Sequence, residues 1–394
     1  MEDFFKETEE KKKINKKKVV AIVAIILLII LVISLILLYN MNLGARQWID
    51  KNIFRKEVFQ NTSNTIELDS NENANIYAFN RYIGILNKNT FKIYNSFAKQ
   101  EKELNLEISS PLFTSSNRFL AVAEKDGNKI YSIEDKDIKW ENTVPGTIHQ
   151  VHNNKNGYVA VVTSDNTHKT VIAVYNTEGT ELFNAYLSST RTVDVSISND
   201  NKYLAIAEID TSGTLIQSKI KIISIDKAQK KEEGSAIIKT YDCENNKLIT
   251  NIKYQEKNKL ICMFSDSVHI IENESDNVLI ENNDKKITFT SIDLENHIAN
   301  IEEQSTGLFT ANSILNITNV NNKNNITYTS SEVTKDIYTY ENMIALNLGS
   351  EIDFVNTSGW LSKKYIANQE ITNIVLSNSI AGIIYRDRIE VINL

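Results

Sequence analysis

From residue 82 to the C-terminus one short pattern recurs: a large apolar residue, an apolar one, a small one and another apolar one. It reads Tyr82-Ile83-Gly84-Ile85, Phe119-Leu120-Ala121-Val122, Tyr158-Val159-Ala160-Val161 and Tyr203-Leu204-Ala205-Ile206. It continues as Leu260-Ile261-Cys262-Met263, Ile298-Ala299-Asn300-Ile301, Met343-Ile344-Ala345-Leu346 and Ile380-Ala381-Gly382-Ile383. Around each copy lie further short runs rich in Val, Ile and Tyr, split by Asn, Asp and Gly, as across residues 158–183. Such runs predict antiparallel strands in a meander. A meander apolar on both faces must stack on copies of itself. The copies start 37 to 57 residues apart, mostly near 40, the period of a four-stranded propeller blade. The expected fold is all-β, an eight-bladed β-propeller, with seven blades as the nearest alternative. The small third position, Asn300 excepted, is read as the slot that lets neighbouring blades approach closely.

Several copies are followed by a strand ending in Asn, as in Ile93-Tyr94-Asn95, Val174-Tyr175-Asn176, Phe354-Val355-Asn356 and Val391-Ile392-Asn393. After Asn393 only Leu394 remains, so the last blade lacks an outer strand, and Thr65-Ile66-Glu67-Leu68 has the alternation to supply it. Closing the ring in this way hides an open edge. The longest interval, from Tyr203 to Leu260, carries an insertion at residues 228–246 that includes Gln229-Lys230-Lys231-Glu232-Glu233.

Upstream of the repeats the pattern changes. Residues 1–18 hold seven lysines and five acids, and residues 19–39 have no charge. As a helix the uncharged run would reach about 31 Å, a bilayer core. The expectation is a cytoplasmic basic tail at 1–18, a transmembrane helix at 19–39, a partly helical connector at 40–64 and an extracellular propeller at 65–394. The lysine flank orients the span. A cleaved signal peptide fits less well, because its apolar region is shorter and Leu43-Gly44-Ala45 is a poor exit site. Trp48 in the connector suits the headgroup level, and a dimerisation element is the alternative.

Gly 12 and Pro 2 are few for an all-β chain, so turns must rest on Asn and Asp, the residues other than Gly that best tolerate positive φ. A formal net charge of -7 argues against a general nucleic-acid binder, which needs a basic face.

Ser198-Asn199-Asp200-Asn201-Lys202-Tyr203-Leu204-Ala205 resembles the hairpin of WD40-like and quinoprotein-like propellers, with Asn201 where those families usually have Gly. The lysine-flanked span, the connector from Trp48-Ile49-Asp50 to Lys56-Glu57-Val58 and the repeats together resemble an uncharacterised family of Gram-positive bacterial membrane-anchored propellers, a domain of unknown function. The resemblance implies architecture and place, and no activity.

Candidate chemistry is sparse. Cys262 fills a repeated small position, which favours an inert thiol over a disulfide with Cys243. His149 and His152 are three apart on an expected innermost strand and point to opposite faces, and no metal motif accompanies them. There is no Gly-x-Ser-x-Gly elbow and no phosphate-cradling Gly loop. No catalytic, cofactor or metal residue is assigned. Arg191, Asp194, Lys253, Asp336 and Asn373 lie on expected innermost strands, where they either line a binding mouth of the central channel or solvate a narrow wet one. The first expectation is a non-enzymatic binding or scaffold module of the cell envelope, membrane-anchored, with a protein or wall-polymer partner. A glycan-acting enzyme using channel-mouth carboxylates and a signalling receptor are the rivals.

Overall fold

The computed structural model describes residues 64–69, 73–243, 247–256, 259–281, 286–305 and 311–394, with a few positions between 25 and 36. Ile25, Leu27, Leu28, Ile29, Val32, Ile33, Ser34 and Ile36 are helical and exposed. Among the described residues no helix is long and apolar enough to cross a membrane. Most of the expected span at 19–39, the tail at 1–18 and residues 40–63 of the connector lie outside the described residues.

The remainder forms eight four-stranded antiparallel sheets from thirty-two strands, β1–β32 in chain order. Blade 1 covers residues 75–105, blade 2 111–143, blade 3 147–187, blade 4 191–242, blade 5 249–281, blade 6 287–329 and blade 7 336–366. Blade 8 joins residues 373–393 to β1 (Asn64–Glu67), which pairs antiparallel with β32 (Arg388–Asn393). The last blade therefore takes its outer strand from the start of the propeller, one residue earlier than the sequence pattern suggested. Eight sheets decide against seven blades.

The first strand of each blade lines the axis. These are β2 (Asn75–Phe79), β6 (Pro111–Ser116), β10 (Thr147–Asn153), β14 (Arg191–Ile197), β18 (Ile249–Glu256), β22 (Ile287–Ser291), β26 (Asp336–Tyr340) and β30 (Asn373–Leu376). They touch neighbours around the ring: β2 meets β6 and β30, β6 meets β10, and β14 meets β10 and β18. The recurring apolar pattern is the second strand, buried along most of its length because another blade covers each face. In blade 4, Leu204 and Ile206 face blade 3, while Ala205 and Ala207 face blade 5.

Blades 5 and 6 depart from the expected register. Leu260 and Cys262 face blade 4, packed with Ala205 and Ala207, whereas Ile261 faces blade 6 with Ile292 and Ile298. Cys262 thus occupies the position filled elsewhere by Val122, Val161, Ile206, Leu346 or Ile383, and Ile261 takes the slot read as small. In blade 6 that slot belongs to Ala299, which faces blade 7, so Asn300 is not an exception to it. Both cysteines are free, and burial pushes the Cys243 thiol up to about 11.

Turn chemistry follows the composition. Asn80, Asn117, Asn201 and Asn296 have φ between 48° and 60° in turns that join first and second strands. The recurrent Asn after the third strand has a separate cause. Asn176 Oδ1 accepts the N–H groups of Glu178 and Thr180 at 3.0 and 2.9 Å, and Asn356 Oδ1 accepts those of Ser358 and Trp360 at 3.0 and 3.1 Å. Such side-chain mimicry of a turn is what Asn does well. The insertion in blade 4 begins as helix α1 (Ile225–Gln229), capped by Ser224, followed by α2 (Glu233–Ala236).

Candidate functional site

The channel has two unlike mouths. Where the first strands end, at least one side-chain or turn hydrogen bond bridges each of the eight blade junctions. Ser377 Oγ donates to the Asn80 carbonyl (2.6 Å), Asn80 Nδ2 to Asp135 Oδ1 (2.9 Å), and Asn153 Nδ2 to the Phe119 carbonyl (3.1 Å). Asn154 Nδ2 donates to the Ser198 carbonyl (2.9 Å), Asn199 Nδ2 to the Gln255 carbonyl (2.8 Å), and Gln255 Nε2 to the Ile292 carbonyl (3.0 Å). The Glu295 N–H donates to the Glu341 carbonyl (2.7 Å), and Asn378 Nδ2 to the Glu341 carboxylate. This belt uses the amide side chains in which the chain is rich.

Inside the belt lies a cavity of about 230 Å³, lined by Tyr77, Lys155, Lys253, Asp293, Glu295 and Tyr340 among others. Four of its charged side chains form two ion pairs, and Glu341 is held by the Asn378 amide. Lys253 Nζ meets Asp293 Oδ1 at 2.8 Å, and Lys155 of blade 3 meets Glu295 of blade 6 at 2.6 Å, a pair that reaches over the mouth. Burial works to lower the Lys253 ammonium, but the Asp293 charge and hydrogen bond outweigh it and hold the group above its ordinary value.

The five residues nominated from sequence are not brought together. Arg191, Asp336 and Asn373 are the first residues of β14, β26 and β30, at the other mouth. Asp194 lies midway along β14, and Lys253 lines the cavity inside the belt. Three of the five turn back on their own strands: Asp194, Asp336 and Asn373 each accept the N–H of the next residue at 2.8 Å. Asp194 also reaches into blade 5. Its Oδ2 accepts the Ile252 N–H at 2.8 Å, Ser196 Oγ accepts the Tyr254 N–H at 2.9 Å, and β14 thus serves β18 as a side-chain acceptor rail. His152 Nε2 stands 3.5 Å from Asp194 Oδ1. Burial raises the Asp194 carboxyl and lowers the His152 imidazole, each partly offset by the other.

At the open mouth, between blades 3 and 4, a cavity of about 510 Å³ is lined by Arg191, Lys169, Asp165, Asn166, His168 and Thr192 among others. Of these only Arg191 was nominated from sequence. The rest sit on the 165–169 turn and at strand ends, where no pattern distinguishes a pocket from a solvated loop. His149 is the unpaired residue of a register break in β10 and binds Ser164 Oγ at 2.7 Å in this cavity, so simple strand alternation does not relate it to His152. Among the described residues no group of His, Cys, Asp and Glu could hold a metal ion.

Fold and axis together define a closed, eight-bladed β-propeller. A family of unknown function (DUF5711) matches residues 55–394, and the chain belongs to it. No curated protein matches. Among solved structures, the C-terminal WD40 domain of Sif2 is 11% identical with a TM-score of 0.53, covering 85% of this chain and 99% of that one. Sqt1 of Chaetomium thermophilum, bound to the N-terminus of the ribosomal protein L10, is 8% identical with a TM-score of 0.52, covering 84% and 100%. BamB from Moraxella catarrhalis is 12% identical with a TM-score of 0.48, covering 84% and 99%. At such identities the likeness concerns the fold.

Proposed function

We propose that this protein is a non-enzymatic binding module of the bacterial cell envelope, held by an N-terminal span at residues 19–39 and displaying its propeller outside the membrane to a protein or wall polymer. The observation that carries this reading is the state of the axis. Most of the charges there are engaged, Asp194 by backbone N–H groups and the Lys253–Asp293 and Lys155–Glu295 pairs by counter-ions, with Arg191 the exception among the described residues. Groups held in this way brace a ring; they are not poised to react. Sqt1 supplies a precedent, since a propeller of this fold was solved with a protein segment bound. The uncharged run after the lysine flank supports the anchor and its orientation.

A glycan-cleaving role would need two carboxylates facing one bond. Among the described residues the open cavity is lined by one, Asp165, which accepts the Thr167 and His168 N–H groups at 2.7 and 2.6 Å. The full-length chain incubated with purified cell-wall glycan should therefore release no new reducing ends above a no-protein control. Steady release that disappears in Asp165→Asn would overturn the non-enzymatic reading.

A further inference from the structure

The open cavity's size falls within the few hundred to one thousand Å³ typical of small-molecule pockets, and its lining is polar. Val162 is its one lining residue without a polar side chain. That composition is wrong for a lipid or an apolar side chain. Arg191 is exposed and engages no hydrogen-bonding or charged partner among the described residues, and the same holds for Asn166. Lys169 gives one hydrogen bond, to the Ser189 carbonyl at 2.8 Å, of the three it can donate. The nearby acids are already engaged. Asp165 holds its own turn and the His168 ring at 3.1 Å, and Asp210, close to Lys169, accepts from the Ser212 N–H and hydroxyl at 2.9 and 2.6 Å.

Beside the cavity Tyr186 packs on His168 with ring centroids 4.7 Å apart and keeps 56% of its surface exposed. A flat, half-bare aromatic next to free hydrogen-bonding groups suits a ligand with an apolar C–H face and many hydroxyls. An unpaired guanidinium suits a carboxylate, which it can grip through two N–H groups at once. We infer that this cavity binds an acidic sugar unit, with its carboxylate on Arg191, its hydroxyls on Asn166 and Lys169, and its ring face on Tyr186. The inference rests on the binding-module reading and assigns that module a ligand class.

The test is titration calorimetry of the full-length chain with a glucuronic-acid disaccharide, with neutral cellobiose, inorganic phosphate and an oligoglutamate peptide as comparators. Saturable binding of the acidic disaccharide is expected, weakened about tenfold or more by Arg191→Met and by Tyr186→Ala. Cellobiose should bind about tenfold more weakly, and Lys102→Met, remote on an outer strand, should match wild type. Absence of binding, or equal affinity in Arg191→Met, overturns the site. Phosphate binding as tightly as the disaccharide would make it a bare anion pocket, and a preference for oligoglutamate would assign it to an acidic protein segment; either result also overturns the sugar assignment. In all of these outcomes the binding-module reading survives, whereas release of free glucuronic acid during the titration would overturn that reading instead.

Discussion

Deleting residues 62–69 from the full-length chain should open the ring and cost it much of its stability. β1 contributes only four residues, but it is the sole outer partner of β32 and it buries Ile66 against Ile83, Ile389 and Val391. Losing a buried Ile alone costs about 2–5 kcal/mol, and here the ladder bonds go with it. The bared strand also becomes an edge open to other chains. A fall in melting temperature of about ten degrees or more, with concentration-dependent aggregation, is expected. Ile66→Asp, which keeps the chain length, should reproduce most of it. Melting that is unchanged in both variants would show that blade 8 closes without β1.

The second large effect belongs to Asp194. Its carboxylate satisfies the buried N–H groups of Val195 and Ile252, the latter from the neighbouring blade. A buried donor left without its acceptor costs about 1–3 kcal/mol, so Asp194→Ala should lower stability by about 3 kcal/mol or more. Asp194→Asn keeps an acceptor for one of the two and should cost less. Acidity separates the variants further. Burial holds the Asp194 carboxyl above its ordinary value, so the folded chain takes up this proton at higher pH than the unfolded chain. Wild type therefore gains stability from this group as pH falls from neutral towards about 4. His152 acts oppositely: its imidazole is lowered by burial, so it loses stability below about 6.5, and loses more once the Asp194 charge is removed. The stability difference between wild type and Asp194→Asn should widen as pH falls, as read by denaturant melts between neutral pH and pH 4. A gap that narrows on acidification would contradict the burial of this pair.

The repeat and the ring closure were legible because burial on two faces leaves a dense apolar signature at a fixed period. The same property hid the register of blades 5 and 6. A strand covered on both faces is apolar at successive positions, so alternation no longer fixes its phase, and a one-residue slip turns each side chain to the other neighbour. Size was the only guide left, and it misled at Cys262, a small residue in a position elsewhere held by Ile, Leu or Val. Asn300 misled in the same way beside Ala299. At the axis the sequence identified polar residues on inner strands but not their tasks. Whether a carboxylate such as Asp194 waits for a ligand or takes an N–H from the next blade depends on contacts 58 residues away. The belt of amide bonds was visible only as an excess of Asn. Arg191 looked no different from Asp336 or Asn373, yet it stands without a partner in a cavity while they fold back on their own strands.

An anchored, outward-facing propeller can be tested by its topology. Cells carrying the full-length chain with an epitope before Met1, their wall opened enzymatically and their membrane intact, would be treated with protease and then probed for both ends of the chain. The account predicts that the propeller is degraded while the epitope and residues 1–18 survive on a short membrane-bound fragment. A propeller that stays intact until the membrane is breached, or an epitope lost together with it, would contradict the account.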